Sequence, residues 1–164
     1  MVLHNRLAKD AIFSPCRGYR YALIRLWDEE SPQAMFIGLN PSTADETQDD
    51  PTIRRCVRFA RDWGCGGLAM LNAYAFRTTN PKEILTVGDP VGPCNDAYLR
   101  AFAATTNIIV AAWGVHCSAR REEVICKAIN RPIHCLGVTK AGRPKHPLYL
   151  RADTLPQPFW QPPA

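Results

Sequence analysis

The residues best suited to chemistry follow short apolar runs, at the points where predicted strands end. The first of these turns is FIGLNPST, which spans residues 36–43. Gly38 allows a sharp turn or a close approach to a ligand, and Pro41 fixes the turn. Asn40 is then expected to project over the edge of the sheet, where its amide can hold a water molecule or the edge of a base. Taken alone, GLNPS is also typical of an ordinary turn.

Three further strand ends carry polar or glycine residues. Asn72 closes the second apolar run, Trp113 and Gly114 follow the third, and the fourth leads into residues 140–150, which contain His146. Ligands of open α/β sheets bind beyond the carboxyl ends of the strands. We therefore expect these residues to meet at one site.

The elements that must position these residues alternate between apolar strands and amphipathic helices. Strands are predicted at the nearly continuous apolar segments 34–39, 67–72, 108–113 and 132–136, and a half-exposed strand is predicted at 21–27. Continuous apolar strands are typical of a sheet that is buried on both faces. The pattern predicts one α/β domain over residues 1–164, a three-layer α/β/α sandwich around a short, mainly parallel sheet. Residues 1–18 are interpreted as a lead-in, and residues 153–164, which hold four prolines, as a tail without regular structure.

Three helices are predicted between the strands. Asp50 suits the N-cap of the first helix, with Pro51 in its opening turn. The second helix is predicted from about Pro93 to Ala104, and the third starts at Ser118.

The composition is that of a folded globular protein. The 164 residues are 46% hydrophobic, which excludes a disordered chain and a collagen-like repeat. The longest apolar stretch, residues 108–115, is too short to span a membrane, and charged residues near the N-terminus interrupt any signal peptide. We expect a cytoplasmic protein without membrane contact.

Cysteine usage predicts reduced thiols and no metal centre. The seven cysteines form no CxxC pair, which favours free thiols over a disulfide framework. The dipeptides His116-Cys117 and His134-Cys135 contain residue types that bind zinc, but they lack the spacing of a recognised zinc site. We therefore predict neither a metal ion nor another cofactor.

The net charge of +5 is concentrated towards the C-terminal end. Residues 124–152 hold six basic residues and no acidic one. A basic segment favours an anionic partner because it raises the local potential. The residues assigned to phosphate contacts on this ground are Lys140, Arg143, Lys145 and Arg151. The alternative interpretation of the same segment is a solvated surface loop.

Taken together, the strand-end motifs resemble the uracil-DNA glycosylase-like superfamily. Its first motif is a strand that ends in Gly-x-(Asp, Asn or Glu)-Pro, which GLNP at 38–41 matches with asparagine at the third position. HPLYL at 146–150 is similar to the late His-Pro-Ser motif, and IVAAWG at 109–114 to a hydrophobic strand that ends in Trp-Gly. Asn72 lies where that superfamily places a base-reading asparagine. GLNPSTAD, DDPTIRR, NAYAFR and HPLYL also resemble a bacterial family of unknown function that is grouped with these glycosylases.

The resemblance implies the same fold and the cleavage of an N-glycosidic bond in a nucleic acid or nucleotide. Asn40 would orient the attacking water, and His146 would stabilise the departing base. Asn72 would read the base through paired donor and acceptor contacts. The base-binding set implied in this way also includes Gly38, Pro41, Ser42, Phe36, Phe76, Trp113 and Gly114.

Departures from the glycosylase pattern leave two alternatives open. The late motif lacks its serine, and Ser42-Thr43-Ala44-Asp45 follows the first motif in place of the usual Tyr or Gly. Residues 45–50, which we call the acidic loop, hold four carboxylates and suit a phosphate backbone poorly. One alternative is a non-catalytic nucleic-acid or nucleotide binding module on the same fold. The other is phosphate chemistry through Mg²⁺ held by Asp45, Asp49 and Asp50.

Overall fold

The computed structural model of the protein describes residues 8–164. Its seven strands are β1 (Ala8–Phe13), β2 (Arg20–Leu26), β3 (Gln33–Gly38), β4 (Gly67–Asn72), β5 (Ile108–Ala111), β6 (Ile133–Cys135) and β7 (Gln157–Trp160). The α-helices are α1 (Pro51–Asp62), α2 (Asn95–Thr105) and α3 (Ala119–Ile129), and a 3₁₀ helix spans Pro81–Leu85. No helix of residues 8–164 has the length and apolar character needed to cross a membrane.

The seven strands form one mixed sheet in the order β1-β2-β4-β3-β5-β6-β7. The four central strands run parallel, whereas β1, β2 and β7 join in antiparallel orientation at the two edges. Three of the six neighbouring pairs are antiparallel, so the prediction of a mainly parallel sheet is wrong for the sheet as a whole. That prediction depended on the continuous apolar runs, which are the central strands buried on both faces.

Helices cover both faces of the sheet, as expected for an α/β protein. On one face, Phe59 of α1 packs in a core that includes Phe36 of β3. On the other face, Leu99 of α2 and Ile125 of α3 pack in a second core with Ile37 of β3. Adjacent residues of β3 enter different cores because side chains alternate along a strand.

The two outermost strands lie in segments interpreted from the sequence as lead-in and tail. β1 pairs with β2 along its whole length, and β7 pairs with β6 inside the proline-rich tail. Proline has no backbone N–H to donate, so it is tolerated in a strand at the edge of a sheet. Pro158 lies in β7, an edge strand, which is why a proline-rich segment still adds a strand.

β2 is more buried than the half-exposed strand that the sequence predicts at 21–27. Arg25 is 4% exposed, and its Nε donates to Oδ1 of Asp49 at 2.8 Å. Asp49 belongs to the acidic loop, which therefore folds over a strand that was predicted to be half exposed. A contact with a distant segment, which local sequence does not reveal, therefore buries this strand.

Side-chain caps fix the starts of two helices where the sequence predicts them. Oδ1 of Asp50 accepts a hydrogen bond from the backbone N–H of Ile53 at 2.8 Å at the start of α1. Oγ of Ser118 accepts from the backbone N–H of Arg121 at 3.1 Å at the start of α3. α2 begins at Asn95, slightly later than predicted. The cap of α1 brings Asp50 to the edge where β3 ends.

Candidate functional site

A cavity of about 560 Å³ lies at the edge of the sheet where the central parallel strands end. Its walls come from the segments after β3, β4 and β5, from the start of α1 and from the connection between β6 and β7. The predicted site residues that line it are Gly38, Asn40, Ser42, Asn72, Trp113, Gly114, Lys145 and His146. The fold therefore brings together residues from all four predicted strand ends.

The amide of Asn40 is held in one orientation by two backbone carbonyls. Its Nδ2 donates to the carbonyl oxygen of Thr78 at 2.8 Å and to that of Pro41 at 3.1 Å. The backbone N–H of Thr78 donates in turn to the Pro41 carbonyl at 3.0 Å. Because both protons of the NH₂ group are used, Oδ1 remains as an acceptor. This oxygen can orient a water molecule but cannot act as a general base at neutral pH.

Asn72 lines the cavity and carries a buried donor without a partner in the described part of the chain. The residue is 1% exposed, and its Nδ2 has no hydrogen-bond partner among residues 8–164. Its backbone carbonyl accepts from Nδ2 of Asn95 at 3.0 Å, which fixes the main chain behind it. A buried polar group without a partner costs about 1–3 kcal/mol. An acceptor on a ligand can remove that cost, so the arrangement suits a polar ligand.

Gly38 lies close to the side chain of Asn72. A Cβ atom at this position would lie 2.7 Å from Cε of Met70 and 3.0 Å from Oδ1 of Asn72. Both neighbours line the cavity. Cε of Met70 is the end of a flexible side chain and can move aside, whereas Asn72 must shift by a few tenths of an ångström if position 38 carries a side chain.

His146 presents a neutral ring in the connection between β6 and β7. Its Nδ1 accepts a hydrogen bond from the backbone N–H of Leu148 at 3.2 Å, so the neutral ring carries its proton on Nε2. The residue is exposed, but nearby protein atoms remove part of the water around the ring, and this desolvation lowers its pKa below 6.5. The Asp50 carboxylate offsets only part of this lowering. A neutral N–H donor can hydrogen-bond to negative charge that develops on a leaving group.

Trp113 forms a fixed part of the cavity wall, and Arg143 helps to hold it. Trp113 is 1% exposed, and its Nε1–H donates to Oε2 of Glu122 at 3.0 Å. Nη1 of Arg143 lies 3.2 Å from the same oxygen, and Nη2 donates to the backbone carbonyl of Cys117. Arg143 is thus occupied by α3 and the turn before it, and it does not line the cavity.

Three residues of the implied base-binding set lie outside the cavity lining. Phe36 is fully buried and stacks on Trp63 in the core beneath α1, so it is not available to stack on a ligand. Phe76 packs edge-on against the ring of Tyr19. Pro41 is buried, and it contributes through its carbonyl oxygen, which anchors Asn40.

The basic residues assigned to phosphates separate in the structure. Lys145 lines the cavity, whereas Lys140 is exposed outside it. Arg151 is exposed and pairs with the carboxylate of Asp153 at 3.0 Å. The basic segment does not form a single surface around the cavity, so its charge alone does not define the site.

The acidic loop uses its carboxylates within the fold. Oδ1 of Asp45 accepts hydrogen bonds from two backbone N–H groups of its own turn, at 2.9 and 2.8 Å. Asp49 pairs with Arg25, and Asp50 caps α1. The described part of the chain contains no group of three or more His, Cys, Asp or Glu side chains that suits a metal ion. The alternative based on Mg²⁺ therefore has no support in the arrangement of the loop.

The sequence analysis missed Arg20, which lies in the cavity wall. The residue is 2% exposed, and its Nη1 donates to the backbone carbonyl of Ala44 at 2.8 Å. β2 runs antiparallel to β4, so the first residue of β2 lies at the edge where the parallel strands end. The expectation that ligands bind at carboxyl ends directs attention away from the start of a strand. The sequence shows the arginine, but it does not predict that β2 runs antiparallel to its neighbour in the sheet.

Comparison with known proteins identifies the family. Residues 20–148 match the family model described as "Protein of unknown function (DUF1643)". The chain belongs to the DUF1643 family. The DUF1643 match begins at Arg20 and includes every residue that lines the cavity except Leu150.

Membership in a family of unknown function was predicted from the motifs, and the DUF1643 match confirms it. Nothing in the match connects the chain with the uracil-DNA glycosylase-like superfamily. No curated protein and no solved structure matches the chain. The site geometry is therefore the basis for any statement about function.

Proposed function

We propose that this DUF1643 protein binds a nucleobase in the cavity and hydrolyses the N-glycosidic bond of a nucleotide or nucleic acid. The observation that carries the proposal is the convergence of Asn40, Asn72 and His146, from three separate segments, on one cavity. Each residue offers a different group: a free carbonyl oxygen, a buried amide donor and a neutral ring N–H. The cavity volume also falls in the range of about 300–1,000 Å³ that is usual for small-molecule sites.

Each of the three side chains has a separate role in the proposed reaction. Nδ2 of Asn72 donates to an acceptor on the base and holds it in register. The bond between the sugar carbon and the base nitrogen breaks, and the base leaves with the electron pair. Nε2–H of His146 donates to the negative charge on the departing base. Oδ1 of Asn40 orients a water molecule, whose oxygen bonds to the sugar carbon as a proton is released to solvent.

A base-release assay tests the proposal. Single- and double-stranded oligonucleotides that carry uracil, hypoxanthine, xanthine or a mismatch are incubated with the purified protein, in parallel with free nucleotides. We expect free base from the wild-type protein and none from Asn40→Ala. His146→Ala should lower turnover by about 10²–10⁴-fold and keep ligand binding within about tenfold of wild type. Asn107→Ala is the matched control, because Oδ1 of Asn107 accepts a hydrogen bond from the backbone N–H of Gln33 at 2.8 Å and the residue does not line the cavity.

The outcomes separate the roles of the residues. Wild-type turnover in His146→Ala would show that His146 takes no part in the reaction. Equal loss of turnover in Asn40→Ala and Asn107→Ala would show that the loss in Asn40→Ala does not come from the cavity. Measurable binding without product on any substrate would exclude hydrolysis.

A binding module without catalysis is the second candidate, and the geometry of Asn40 favours it. One amide proton of Asn40 connects its turn to the loop of Thr78, and the other bonds to the Pro41 carbonyl within the turn, which accounts for the asparagine without a reaction. In that case the wild-type protein binds a base or nucleotide and turns nothing over. Asn72→Ala should then weaken binding, whereas His146→Ala should have little effect.

A further inference from the structure

Arg20 is a buried arginine of the cavity wall that has no acidic partner. Three arginines are buried within residues 8–164, namely Arg20, Arg25 and Arg121. Arg25 pairs with Asp49 at 2.8 Å, and Arg121 pairs with Asp96 at 2.6 Å. Arg20 forms no ion pair with any of the described residues, and the first seven residues contain no Asp or Glu. Of the three, Arg20 is also the one that lines the cavity.

Most of the donors of the Arg20 guanidinium group have no hydrogen-bond partner among residues 8–164. A guanidinium has five N–H donors. Nη1 donates to the Ala44 carbonyl at 2.8 Å, whereas the buried Nε has no partner in the described part of the chain. Asp50 also lines the cavity and favours the charged form, but its carboxylate caps α1. Burial lowers the pKa of Arg20 to about 10, which still leaves the group charged at neutral pH.

A buried charge without a counter-ion is unfavourable, because the protein replaces little of the hydration that the charge loses. An anion that enters the cavity provides the missing partner. The planar fork of a guanidinium matches the geometry of two oxygens of a phosphate. Lys145 adds a second positive charge to the cavity lining. Asp50 is the acidic residue of that lining. The balance of charge in the cavity therefore favours an anionic ligand group.

We propose that Arg20 binds a phosphate group of the ligand, so that the cavity takes a phosphorylated nucleoside in preference to a free base or nucleoside. The nucleoside part of this statement rests on the proposed function, whereas the phosphate part rests on Arg20 alone. The phosphate can come from a mononucleotide, as a monoester, or from a strand, as a backbone diester. Arg20 is thus a specificity-determining residue that distinguishes ligands by charge.

Calorimetric titration of wild-type protein, Arg20→Met and Arg100→Met tests the proposal. Methionine has a similar length and no charge, and Arg100 is an exposed arginine of α2 that makes the matched control. The probes are the nucleoside 5′-monophosphates, the corresponding nucleosides, inorganic phosphate and a short oligonucleotide without terminal phosphates. We expect the wild-type protein and Arg100→Met to bind at least one monophosphate or the oligonucleotide about tenfold or more tightly than the nucleoside. Arg20→Met should lose that difference and keep its affinity for the nucleoside.

The oligonucleotide identifies the source of the phosphate. A preference that appears only with the monophosphates indicates a monoester, and one that extends to the oligonucleotide indicates a diester. Melting temperatures in inorganic phosphate give a readout that requires no base recognition, because phosphate should stabilise the wild-type protein and not Arg20→Met. If Arg20→Met does not fold, Arg20→Lys replaces it, since lysine keeps the charge without the fork and should bind the monophosphates more weakly than arginine does.

The two proposals fail in different ways. Equal affinity of the wild-type protein for nucleosides and all phosphorylated probes, or a phosphate preference that persists in Arg20→Met, overturns the role of Arg20 and leaves base recognition intact. Stabilisation by phosphate that depends on Arg20, without binding of any nucleoside or nucleotide, supports the anion site and overturns the proposed function. Absence of any response to phosphate or to the phosphorylated probes overturns the role of Arg20.

Discussion

Replacement of Asn72 by alanine should weaken ligand binding and leave the fold stable. The buried Nδ2 of Asn72 has no partner among residues 8–164, which costs the ligand-free protein about 1–3 kcal/mol. A ligand acceptor that pairs with this group recovers the same amount on binding. Loss of the amide should therefore raise the Kd by about 5- to 150-fold. Because alanine also removes the unpaired donor, the free energy of unfolding should change by less than about 1 kcal/mol.

Calorimetry with nucleosides and nucleotides measures the affinity, and urea denaturation measures the stability. Asn95→Ala is the contrasting variant, because Nδ2 of Asn95 donates to the backbone carbonyls of Asn72 at 3.0 Å and Ala73 at 3.3 Å. Loss of these two bonds should lower the free energy of unfolding by about 1–3 kcal/mol. An unchanged Kd in Asn72→Ala would refute the argument that the amide is reserved for a ligand. A loss of stability equal to that of Asn95→Ala would refute the claim that its role is not structural.

Two further predictions concern residues next to Asn72 and at the His146 side of the cavity. Gly38→Ala introduces a Cβ that displaces Cε of Met70 and pushes Oδ1 of Asn72, so it should weaken ligand binding and lower the free energy of unfolding by no more than about 1 kcal/mol in urea denaturation. Wild-type affinity for the ligand in this variant would contradict the close packing of Asn72. The pKa of His146 is lower in the folded state than in the unfolded chain, so the unfolded chain takes up a proton first as the pH falls below 6.5. The free energy of unfolding should therefore decrease as the pH falls from 6.5 towards the pKa of the folded state, and then level off. His146→Gln should lack this component in denaturation curves recorded from about pH 5 to about pH 8; an identical pH dependence in both proteins would contradict the assigned shift.

Local sequence signals predict the central strands and the ends that supply the cavity. Gly38, Asn72 and Gly114 follow or close continuous apolar runs, and such runs identify strands buried on both faces. The cap at Asp50 is equally local, since it depends on a side chain and a backbone N–H three residues later. Features of this kind need no knowledge of the rest of the fold.

Contacts between distant segments explain what the sequence did not predict. The acidic loop covers Arg25 through Asp49, and no local pattern around either residue indicates this. The glycosylase resemblance implied that Phe36 stacks on the ligand, but alternation along β3 turns its ring towards α1. The order of the strands decides which face and which edge form the cavity, and that order is also why Arg20 belongs to it.

The anchoring of Asn40 limits how the chemistry of this position can change in evolution. An aspartate here would supply a general base, which asparagine cannot. It would also place a carboxylate oxygen against the carbonyl oxygens of Thr78 and Pro41, which now accept hydrogen bonds at 2.8 and 3.1 Å. Oxygen atoms that lack a proton between them repel one another at these distances. A route to an aspartate-based enzyme therefore requires a rearranged loop around Thr78 together with the substitution, so one nucleotide change is not sufficient.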